Sequence, residues 1–343
     1  MSSMSSETKL FITGGAGFMG SNFIQYILRK YPLYEVLNFD KLTYAGNLEN
    51  LRDIESDPRY RFVKGDIADE KAVARAVEAF RPDVIINYAA ETHVDRSIQS
   101  PKDFLVTDVM GTYTLLEAVR EFSVPKFIQI STDEVYGGAQ DRSTEETRFD
   151  PSSPYSAAKA GGDHMVMAYW KTFKTPVIRT HSCNFFGPYQ YPEKLIPLFI
   201  TNLLERKKVP LYRGGEHNVR NFIYTEDHCR AIDLIFHAGV LGEAYNISTG
   251  EEIENIAVAR KILAAFGAGE DMIEFVPDRP GHDRRYSLDN SKLKKLGWAP
   301  VWSFDTALAE TIRWYREHEA WWKPLKQGRN FKEHYEKQYQ LEG

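Results

Sequence analysis

The chain has 343 residues, of which 43% are hydrophobic and 27% are charged, so it is long enough for a large core and has the composition of a globular protein. Its 43 basic and 48 acidic residues are intermixed and give a net charge of -5, which argues against nucleic acid as a partner. Two cysteines and nine scattered histidines favour neither a disulfide framework nor a metal site, and they suggest a reducing, cytoplasmic location.

The amino terminus, Met1 to Thr8, is rich in serine and lacks the apolar run of a signal peptide, so we expect a disordered tail. No stretch approaches the roughly 18 consecutive apolar residues of a membrane span. We therefore expect no membrane association.

A glycine-rich turn joins the first predicted strand, Lys9 to Thr13, to a predicted helix over Ser21 to Lys30. Its glycines are Gly14, Gly17 and Gly20. Without side chains there, a pyrophosphate can approach the backbone and the positive end of the helix. A glycine turn alone is weak evidence, but its place between strand and helix predicts a dinucleotide site.

A second predicted strand, Glu35 to Phe39, is followed by Asp40, about 20 residues past the glycine turn. An acid at this position accepts hydrogen bonds from the adenosine ribose diol and repels a 2'-phosphate, so the sequence predicts NAD rather than NADP. Lys41 could partly offset that repulsion. The alternative is that Asp40 is only a turn residue at a strand end.

Strands and helices alternate through the first half of the chain. Further strands are predicted at Arg61 to Val63 and Val84 to Asn87, with an amphipathic helix over Glu70 to Phe80 between them. Asp66, at the exit of the third strand, could meet the adenine amino group. The alternation predicts an α/β fold with a doubly wound parallel (Rossmann) sheet, whose right-handed crossovers bring the carboxyl ends of the strands to one edge.

A buried strand at Phe127 to Ile130 leads to Ser131 and then to Thr132, Asp133 and Glu134. Open α/β sheets place their chemistry at the carboxyl ends of such strands. The sequence therefore predicts a hydroxyl and two adjacent carboxylates at the reaction site.

Tyr155 and Lys159 are four positions apart at the start of a helical segment and should share one face. An ammonium beside a phenol favours the phenolate, so this pair should act as a general base with a lowered tyrosine pKa. Tyr26 and Tyr60 are also followed by lysine at this spacing, so the prediction rests on proximity to Ser131 and the glycine turn.

Beyond a sixth strand, Pro176 to Arg179, and a loop, His181 to Pro188, the chain is rich in prolines and aromatics. We interpret residues 1–182 as an NAD-binding domain and residues 183–343 as a smaller C-terminal substrate-binding lobe, with part of 218–250 returning to the sheet. The helices predicted at Asp103 to Glu121 and Ala157 to Phe173 carry wide apolar faces, which suggests a subunit interface.

Sequence blocks along nearly the whole chain resemble the extended short-chain dehydrogenase/reductases and, within them, the nucleotide-sugar 4,6-dehydratases that act on dTDP-glucose. The blocks include TGGAGFMGSN, PYSAAKA and NFFGPYQYPEKLIPLFI. Single blocks occur across the superfamily, whereas STDEVYG together with HVDRSI, YPEKLIPL and DRPGHDRRY is far more specific.

The resemblance implies two sets of ligand contacts and a homodimer through a four-helix bundle. For NAD it implies Gly14, Gly17, Phe18, Met19, Gly20, Asp40, Lys41, Leu42, Thr43, Asp66, Ile67, Tyr88, Ala89, Ala90, Thr92, Thr107, Tyr155 and Lys159. For the nucleotide sugar it implies Thr92, Thr132, Asn184, Lys194, Leu195, Pro210, Tyr212, Arg220, Asn255, Asp278, Arg279 and His282. Arg220 and Lys194 suit the roughly two negative charges of a sugar nucleotide diphosphate.

The resemblance further implies dehydration of dTDP-glucose to dTDP-4-keto-6-deoxyglucose, which feeds deoxysugar synthesis. Tyr155 would take the C4 hydroxyl proton, assisted by Lys159 and Thr132, while a hydride passes to NAD. Glu134 would then remove the C5 proton and Asp133 would protonate the departing C6 hydroxyl, before the hydride returns to C6. Two neighbouring carboxyls need not ionise together, so one can serve as the acid.

Two departures from the family pattern lie near the ligands: Phe185 replaces an asparagine on the nicotinamide side, and Asn221-Phe222 replace Asp-Trp. One rival function is that of a 4-epimerase, which needs no elimination acid or base, and another is dehydration of a different nucleotide sugar. A non-catalytic NAD-binding scaffold is a third reading, but it would be expected to have lost Tyr155 or Lys159.

Overall fold

A computed structural model describes residues 7–339. The strands are β1 Thr8–Thr13, β2 Tyr34–Asp40, β3 Tyr60–Lys64, β4 Val84–Asn87, β5 Phe127–Thr132, β6 Val177–Ser182, β7 Asn184–Phe186, β8 Val209–Tyr212, β9 Val219–Tyr224, β10 Ala244–Ile247, β11 Glu252–Glu254 and β12 Ile273–Val276. The α-helices are α1 Phe18–Lys30, α2 Glu70–Phe80, α3 Val94–Gln99, α4 Pro101–Phe104, α5 Thr112–Glu121, α6 Pro154–Phe173, α7 Leu195–Leu204, α8 Thr225–Ala238, α9 Asn255–Ala265, α10 Ser291–Lys295, α11 Phe304–Glu317, α12 Glu319–Gln327 and α13 Arg329–Tyr339. Shorter 3-10 helices cover Leu48–Ile54, Asp133–Tyr136 and Glu270–Met272, and a π-helix covers Leu105–Gly111.

Seven parallel strands form the central sheet, in the order β10-β6-β5-β4-β1-β2-β3. The middle strands β1, β4 and β5 are almost wholly buried because helices cover both faces. Strand order reverses between β1 and β4, and such reversals leave a crevice at the carboxyl ends of the strands. The predicted α/β fold with a doubly wound parallel sheet is confirmed.

A second core lies in the C-terminal half, where helices pack on two small sheets of order β11-β9-β7 and β12-β8. The expected loop at His181 to Pro188 is only partly irregular: β6 continues to Ser182, and Asn184–Phe186 pairs with β9. That pairing joins positions nearly 40 residues apart, such as Asn184 and Phe222, so the local sequence does not reveal it.

Several predicted boundaries differ from the structure. Of the expected tail, residues 1–6 lie outside the described part, and Thr8 already belongs to β1. The single helix predicted at Asp103 to Glu121 consists of α4, the π-helix and α5, because its middle turn is wider than an α-turn.

Helix α6 starts at Pro154 because Ser153 caps it. The Ser153 hydroxyl accepts a hydrogen bond from the Ser156 N–H at 3.1 Å, and the Ser156 hydroxyl accepts one from the Ser153 N–H at 3.0 Å. Proline suits the first helical position, where its missing N–H costs nothing. This start fixes Tyr155 in the first turn and Lys159 one turn later.

Within residues 7–339, no helix combines the length and the apolar character needed to cross a membrane.

Candidate active site

A cavity of about 270 Å³ opens at the carboxyl ends of β1, β4 and β5. Its wall combines the glycine turn, the end of β5 and the first turns of α6. Of the residues expected to bind NAD, all but Leu42 line it. The catalytic candidates Thr132, Asp133, Glu134, Tyr155 and Lys159 line it as well.

The glycine turn has no room for side chains. Gly14 has a φ of +65°, and a Cβ at this position would lie 2.6 Å from the backbone nitrogen of Ala89. A Cβ on Gly20 would lie 2.3 Å from the Gly14 oxygen. Gly17 directly precedes α1, so unpaired N–H groups at the start of this helix border the cavity and can bind a pyrophosphate.

Asp40 ties the glycine turn to the segment after β2. Its Oδ2 accepts a hydrogen bond from the Ala16 N–H at 2.9 Å, and its Oδ1 accepts one from the Leu42 N–H at 2.7 Å. Lys41 Nζ lies 2.7 Å from Asp66 Oδ2, so this cation is paired with Asp66. Asp40 therefore suits a ribose diol that carries no 2'-phosphate, because its oxygens keep lone pairs that can accept hydrogen bonds from the diol.

Six buried polar atoms around the cavity have no hydrogen-bond partner among the described residues. They are Tyr88 Oη, Ser131 Oγ, Asp133 Oδ2, Ser182 Oγ, Asn184 Oδ1 and Gln190 Oε1. Because buried polar atoms in folded proteins nearly always have partners, these atoms are expected to bind a ligand or ordered water. Together with the glycine turn and Asp40, they fit a dinucleotide beside a polar sugar.

Lys159 is buried, and its Nζ donates a hydrogen bond to the Ile130 oxygen at 2.9 Å. Burial raises the pKa of Tyr155 well above its usual value, and the carboxylates of Glu134 and Asp108 raise it further, while a hydrogen bond with Thr132 lowers it. The predicted lowering of the Tyr155 pKa is therefore wrong for the protein without ligands, because burial and nearby carboxylates raise it.

Asp133 and Glu134 begin the 3-10 helix that follows β5. The Thr132 hydroxyl caps this helix by accepting a hydrogen bond from the Glu134 N–H at 3.2 Å. Burial raises the pKa of Asp133 to about 8, and the neighbouring Glu134 contributes to the rise. Asp133 can therefore stay protonated at neutral pH.

Glu134 lies in a different electrostatic environment. Burial raises its pKa, but three cations, Arg279, Arg220 and Lys194, lower it. These cations favour the carboxylate form, although burial leaves the pKa of Glu134 raised on balance. Since Arg220 also lowers the pKa of Asp133, it is Arg279 and Lys194 that distinguish the two adjacent acids.

The residues expected to bind the nucleotide sugar form two groups. Thr92, Thr132, Asn184 and Lys194 line the cavity, whereas Leu195, Pro210, Tyr212, Arg220, Asn255, Asp278, Arg279 and His282 are outside its lining. Within the second group, His282 Nδ1 lies 2.7 Å from Asp278 Oδ1, and the rings of Tyr212 and His282 are 5.6 Å apart. Of this second group, Arg220 and Arg279 lower the pKa of Glu134, so at least their charges act on the carboxylate pair.

The sequence analysis missed the contribution of α12. Trp321 and Leu325 line the cavity, and Trp321 Nε1 donates to Asn50 Oδ1 at 2.8 Å. Asn50 Nδ2 in turn donates to the Ala16 oxygen at 2.9 Å, which links α12 to the glycine turn. Trp321 and Asn50 are 271 positions apart, and no sequence pattern indicates their contact.

One cluster of side chains of the metal-binding type lies near Lys194. His93, Glu193 and His334 bring ligand atoms within 4.8 Å of one another. However, Glu193 Oε2 already accepts a hydrogen bond from Arg96 at 3.0 Å, and Oε1 accepts one from Tyr44 at 3.0 Å. Both carboxylate oxygens of Glu193 are therefore already engaged, and the cation that Glu193 binds is Arg96.

Comparisons with known proteins show close similarity over most of the chain. The family model described as GDP-mannose 4,6 dehydratase matches residues 11–311. A dTDP-glucose 4,6-dehydratase from Streptomyces niveus is 48% identical over 327 residues, which cover 93% of this chain and 96% of the relative.

Two solved structures bear on the choice between activities. The dTDP-glucose 4,6-dehydratase of Bacillus anthracis in complex with NAD matches with a TM-score of 0.88 and 47% identity, covering 93% of this chain and 100% of the other. The UDP-glucose 4-epimerase of Thermus thermophilus in complex with NAD matches with a TM-score of 0.84 and 29% identity, over 91% and 100%. Overall shape alone therefore does not separate dehydration from epimerisation.

Proposed function

The chain belongs to the GDP-mannose 4,6-dehydratase family and, within it, to the dTDP-glucose 4,6-dehydratases, and we propose that the residues of the cavity carry out dehydration of dTDP-glucose. The product is dTDP-4-keto-6-deoxyglucose, a precursor for deoxysugar synthesis. NAD is the cofactor, and when bound it supplies the hydride acceptor at C4 and the hydride donor at C6.

In the oxidation, Tyr155 receives the proton of the C4 hydroxyl, because its phenol borders the cavity beside Thr132. The single proton of the Thr132 hydroxyl is donated to Asp133 Oδ1 in the structure, and it can turn to the phenolate when Tyr155 ionises. Lys159 is held by the Ile130 oxygen under the same wall of the cavity, and its ammonium stabilises the Tyr155 phenolate, whose negative charge is lost when it takes the C4 hydroxyl proton.

The elimination uses the two adjacent carboxyls, and their contrast is the single observation that carries the proposal. Glu134, whose carboxylate form is favoured by the charges of Arg279, Arg220 and Lys194, removes the proton from C5, which the C4 ketone makes acidic. Asp133, with a pKa of about 8, keeps the proton that the departing C6 hydroxyl requires. A 4-epimerase has no use for this pair.

The three cations near Glu134 also suit the substrate. A nucleoside diphosphate sugar carries about two negative charges, which guanidinium groups bind well. Lys194 Nζ donates to the Thr92 oxygen at 2.7 Å, so this cation is held at the boundary between the cavity and the second group of predicted substrate residues.

The test of this proposal is incubation of the purified protein with NAD and a panel of nucleotide hexoses, followed by mass spectrometry. We expect the loss of one water from dTDP-glucose and little change in the other nucleotide sugars. A product of unchanged mass would support the epimerase instead.

A homodimer is also part of the proposal. Leu105 and Met110 of the π-helix are 54% and 51% exposed, and Phe173 at the end of α6 is 48% exposed. These large apolar side chains lie on the two helical segments whose apolar faces the sequence analysis singled out. A second copy packing α5 and α6 against the same helices would cover them in a four-helix bundle.

Two further expectations remain proposals. The division into residues 1–182 and 183–343 is supported by the separate C-terminal core, and β10 adds residues 244–247 to the edge of the large sheet. Leu288, Leu293 and Trp298, beyond the expected return at 218–250, also pack in the core of that sheet. A cytoplasmic location accords with Cys183 and Cys229, which are both unpaired and buried.

A further inference from the structure

Asp108 is a buried acid next to Lys159 that has no role in the reaction described above. Its side chain lies in the π-helix, the residue is 2% exposed, and its Oδ1 is 3.7 Å from Lys159 Nζ. Neither carboxyl oxygen has a partner among residues 7–339 at good hydrogen-bond geometry, although the Glu91 backbone and the Lys159 ammonium lie close enough to lower the pKa of the carboxyl. Burying a carboxylate in this way is costly, and π-helical turns occur frequently at functional sites.

The backbone around Asp108 is held firmly against α6. The Thr112 hydroxyl donates a hydrogen bond to the Asp108 oxygen at 2.7 Å. Gly162 of α6 packs so closely that a Cβ there would lie 2.5 Å from the same oxygen. The π-helix thus points Asp108 toward Lys159 while Leu105 and Met110 face outward.

The charged groups that act on Asp108 come from two elements. Lys159 and Tyr155 face it from α6, and Glu91 faces it from the segment after β4. Burial raises the pKa of Asp108 to about 7, and Lys159 lowers it. The charge of Glu91 raises this pKa, while a hydrogen bond from the Glu91 backbone lowers it. Tyr155 also faces Glu134 and Asp133 after β5, and together with Asp108 they raise its pKa.

We propose that Asp108 is a positioning residue that controls how much of the positive charge on Lys159 acts on the phenol of Tyr155. When the Asp108 carboxyl is ionised, it pairs with the ammonium and repels the phenolate. When it is protonated, the ammonium acts on Tyr155 without opposition. The inference rests on the proposed function, because it takes Tyr155 as the base.

Coupling of this kind gives a distinctive pH dependence. Well above pH 7 Asp108 is ionised and makes Tyr155 a poorer donor of its proton, so the phenolate is scarce. Well below pH 7 Asp108 is neutral and the Tyr155 pKa is lower. As the pH is lowered through 7, the fraction of Tyr155 present as phenolate therefore falls less steeply than it would for an isolated tyrosine.

Asp108→Asn keeps the shape of the side chain and removes its titration. The rate of C4 oxidation in a single turnover of the NAD-loaded protein should rise roughly tenfold well above pH 7, because the variant lacks the carboxylate that raises the Tyr155 pKa. Well below pH 7 the variant and the wild type should have similar rates. Asp103→Asn, an exposed acid on α4, is the matched control and should follow the wild type.

A second readout does not depend on activity. Ultraviolet titration of tyrosinate, with the corresponding Tyr155→Phe protein subtracted, should give a lower midpoint for Tyr155 in Asp108→Asn than in the wild type. If Asp108→Asn does not fold, Asp108→Ser should show the same shift.

Identical titrations and identical pH profiles in the wild type and the Asp108 variants would overturn this inference. The proposed function would still stand, provided that these proteins dehydrate dTDP-glucose. Failure of the wild type to dehydrate dTDP-glucose would instead overturn the proposed function.

Discussion

The hydroxyl of Thr132 lies 3.2 Å from Oδ1 of Asp133 and donates a hydrogen bond to it. With Oδ1 accepting this bond, the acidic proton of Asp133 belongs on Oδ2, which is buried and has no other partner among the described residues. Because Asp133 lines the cavity, we propose that a bound substrate receives this proton.

The first prediction concerns pH. The pKa of Asp133 is raised to about 8, so the residue is mostly protonated at neutral pH and loses its acid form as the pH rises through this value. We expect product formation to decline on the alkaline side of about 8. Measurement of kcat across neutral and alkaline pH checks this.

Asp133→Asn is the matched variant for this pH profile. It should reduce kcat by roughly 10²- to 10⁴-fold, the usual contribution of general acid catalysis, and its residual activity should lack the alkaline decline. A decline at the same pH in Asp133→Asn would assign it to another group.

The second prediction concerns the choice of cofactor. Replacing Asp40 with alanine removes the acceptor for the ribose diol and also the hydrogen bonds to the Ala16 and Leu42 N–H groups. The Kd for NAD should rise roughly tenfold or more, while the Kd for NADP should change less. Calorimetric titration with both cofactors measures the difference.

Asp53→Asn, which neutralises an exposed acid on the 3-10 helix Leu48–Ile54, is the control for the loss of one charge. An unchanged preference between the two cofactors in Asp40→Ala would show that other groups hold the ribose.

The third prediction separates backbone strain from crowding in the glycine turn. Gly14 and Gly267 have nearly the same φ, +65° and +64°, but a Cβ on Gly267 meets nothing within 4 Å. Gly267→Ala should therefore cost only the strain of the left-handed conformation, about 1 kcal/mol. Gly14→Ala should cost clearly more and should also abolish tight NAD binding.

Thermal unfolding and NAD titration of both variants provide the comparison. Equal losses of stability, with NAD binding retained by Gly14→Ala, would show that the turn relaxes around the extra methyl group.

The fourth prediction concerns assembly. Met110→Glu places a charge on the exposed apolar face of the π-helix, so it should convert a homodimer to a monomer. Val301→Glu changes an equally exposed apolar residue elsewhere, 60% exposed, and should leave the dimer intact. Light scattering at micromolar concentration gives the masses, and a monomeric wild type would refute the proposed dimer.

Local sequence patterns were enough to predict the sheet, the glycine turn and the acid at the end of β2. Each of these depends on residues within a few positions of one another, such as Gly14 and Gly17 or a short apolar run before Asp40. The resemblance to a known family added the roles of Asp133 and Glu134. These predictions needed no knowledge of long-range packing.

Other features depend on contacts that no local pattern encodes. The pairing of β7 with β9, the approach of Trp321 to Asn50, and the grouping of Arg220 with Glu134 all join distant parts of the chain. The direction of the Tyr155 pKa was mispredicted for the same reason. The spacing of Tyr155 from Lys159 is visible in the sequence, but the burial of Tyr155 and the effect of the Asp108 carboxylate on it are not.

The central claim is that Tyr155 serves the oxidation while Glu134 and Asp133 serve the elimination. Tyr155→Phe should therefore abolish both the formation of enzyme-bound NADH and the product. Glu134→Gln keeps the shape of the side chain but cannot take the C5 proton, so oxidation should continue while dehydration slows by roughly 10²- to 10⁴-fold. Solvent deuterium should also enter C5 more slowly in this variant.

The most direct measurement is a stopped-flow absorbance trace of NAD-loaded Glu134→Gln mixed with dTDP-glucose, with product quantified in parallel. We predict that enzyme-bound NADH builds up and decays slowly, with little 4-keto-6-deoxy sugar formed. Dehydration by Glu134→Gln at the wild-type rate, without this build-up, would contradict the assignment of Glu134 as the elimination base.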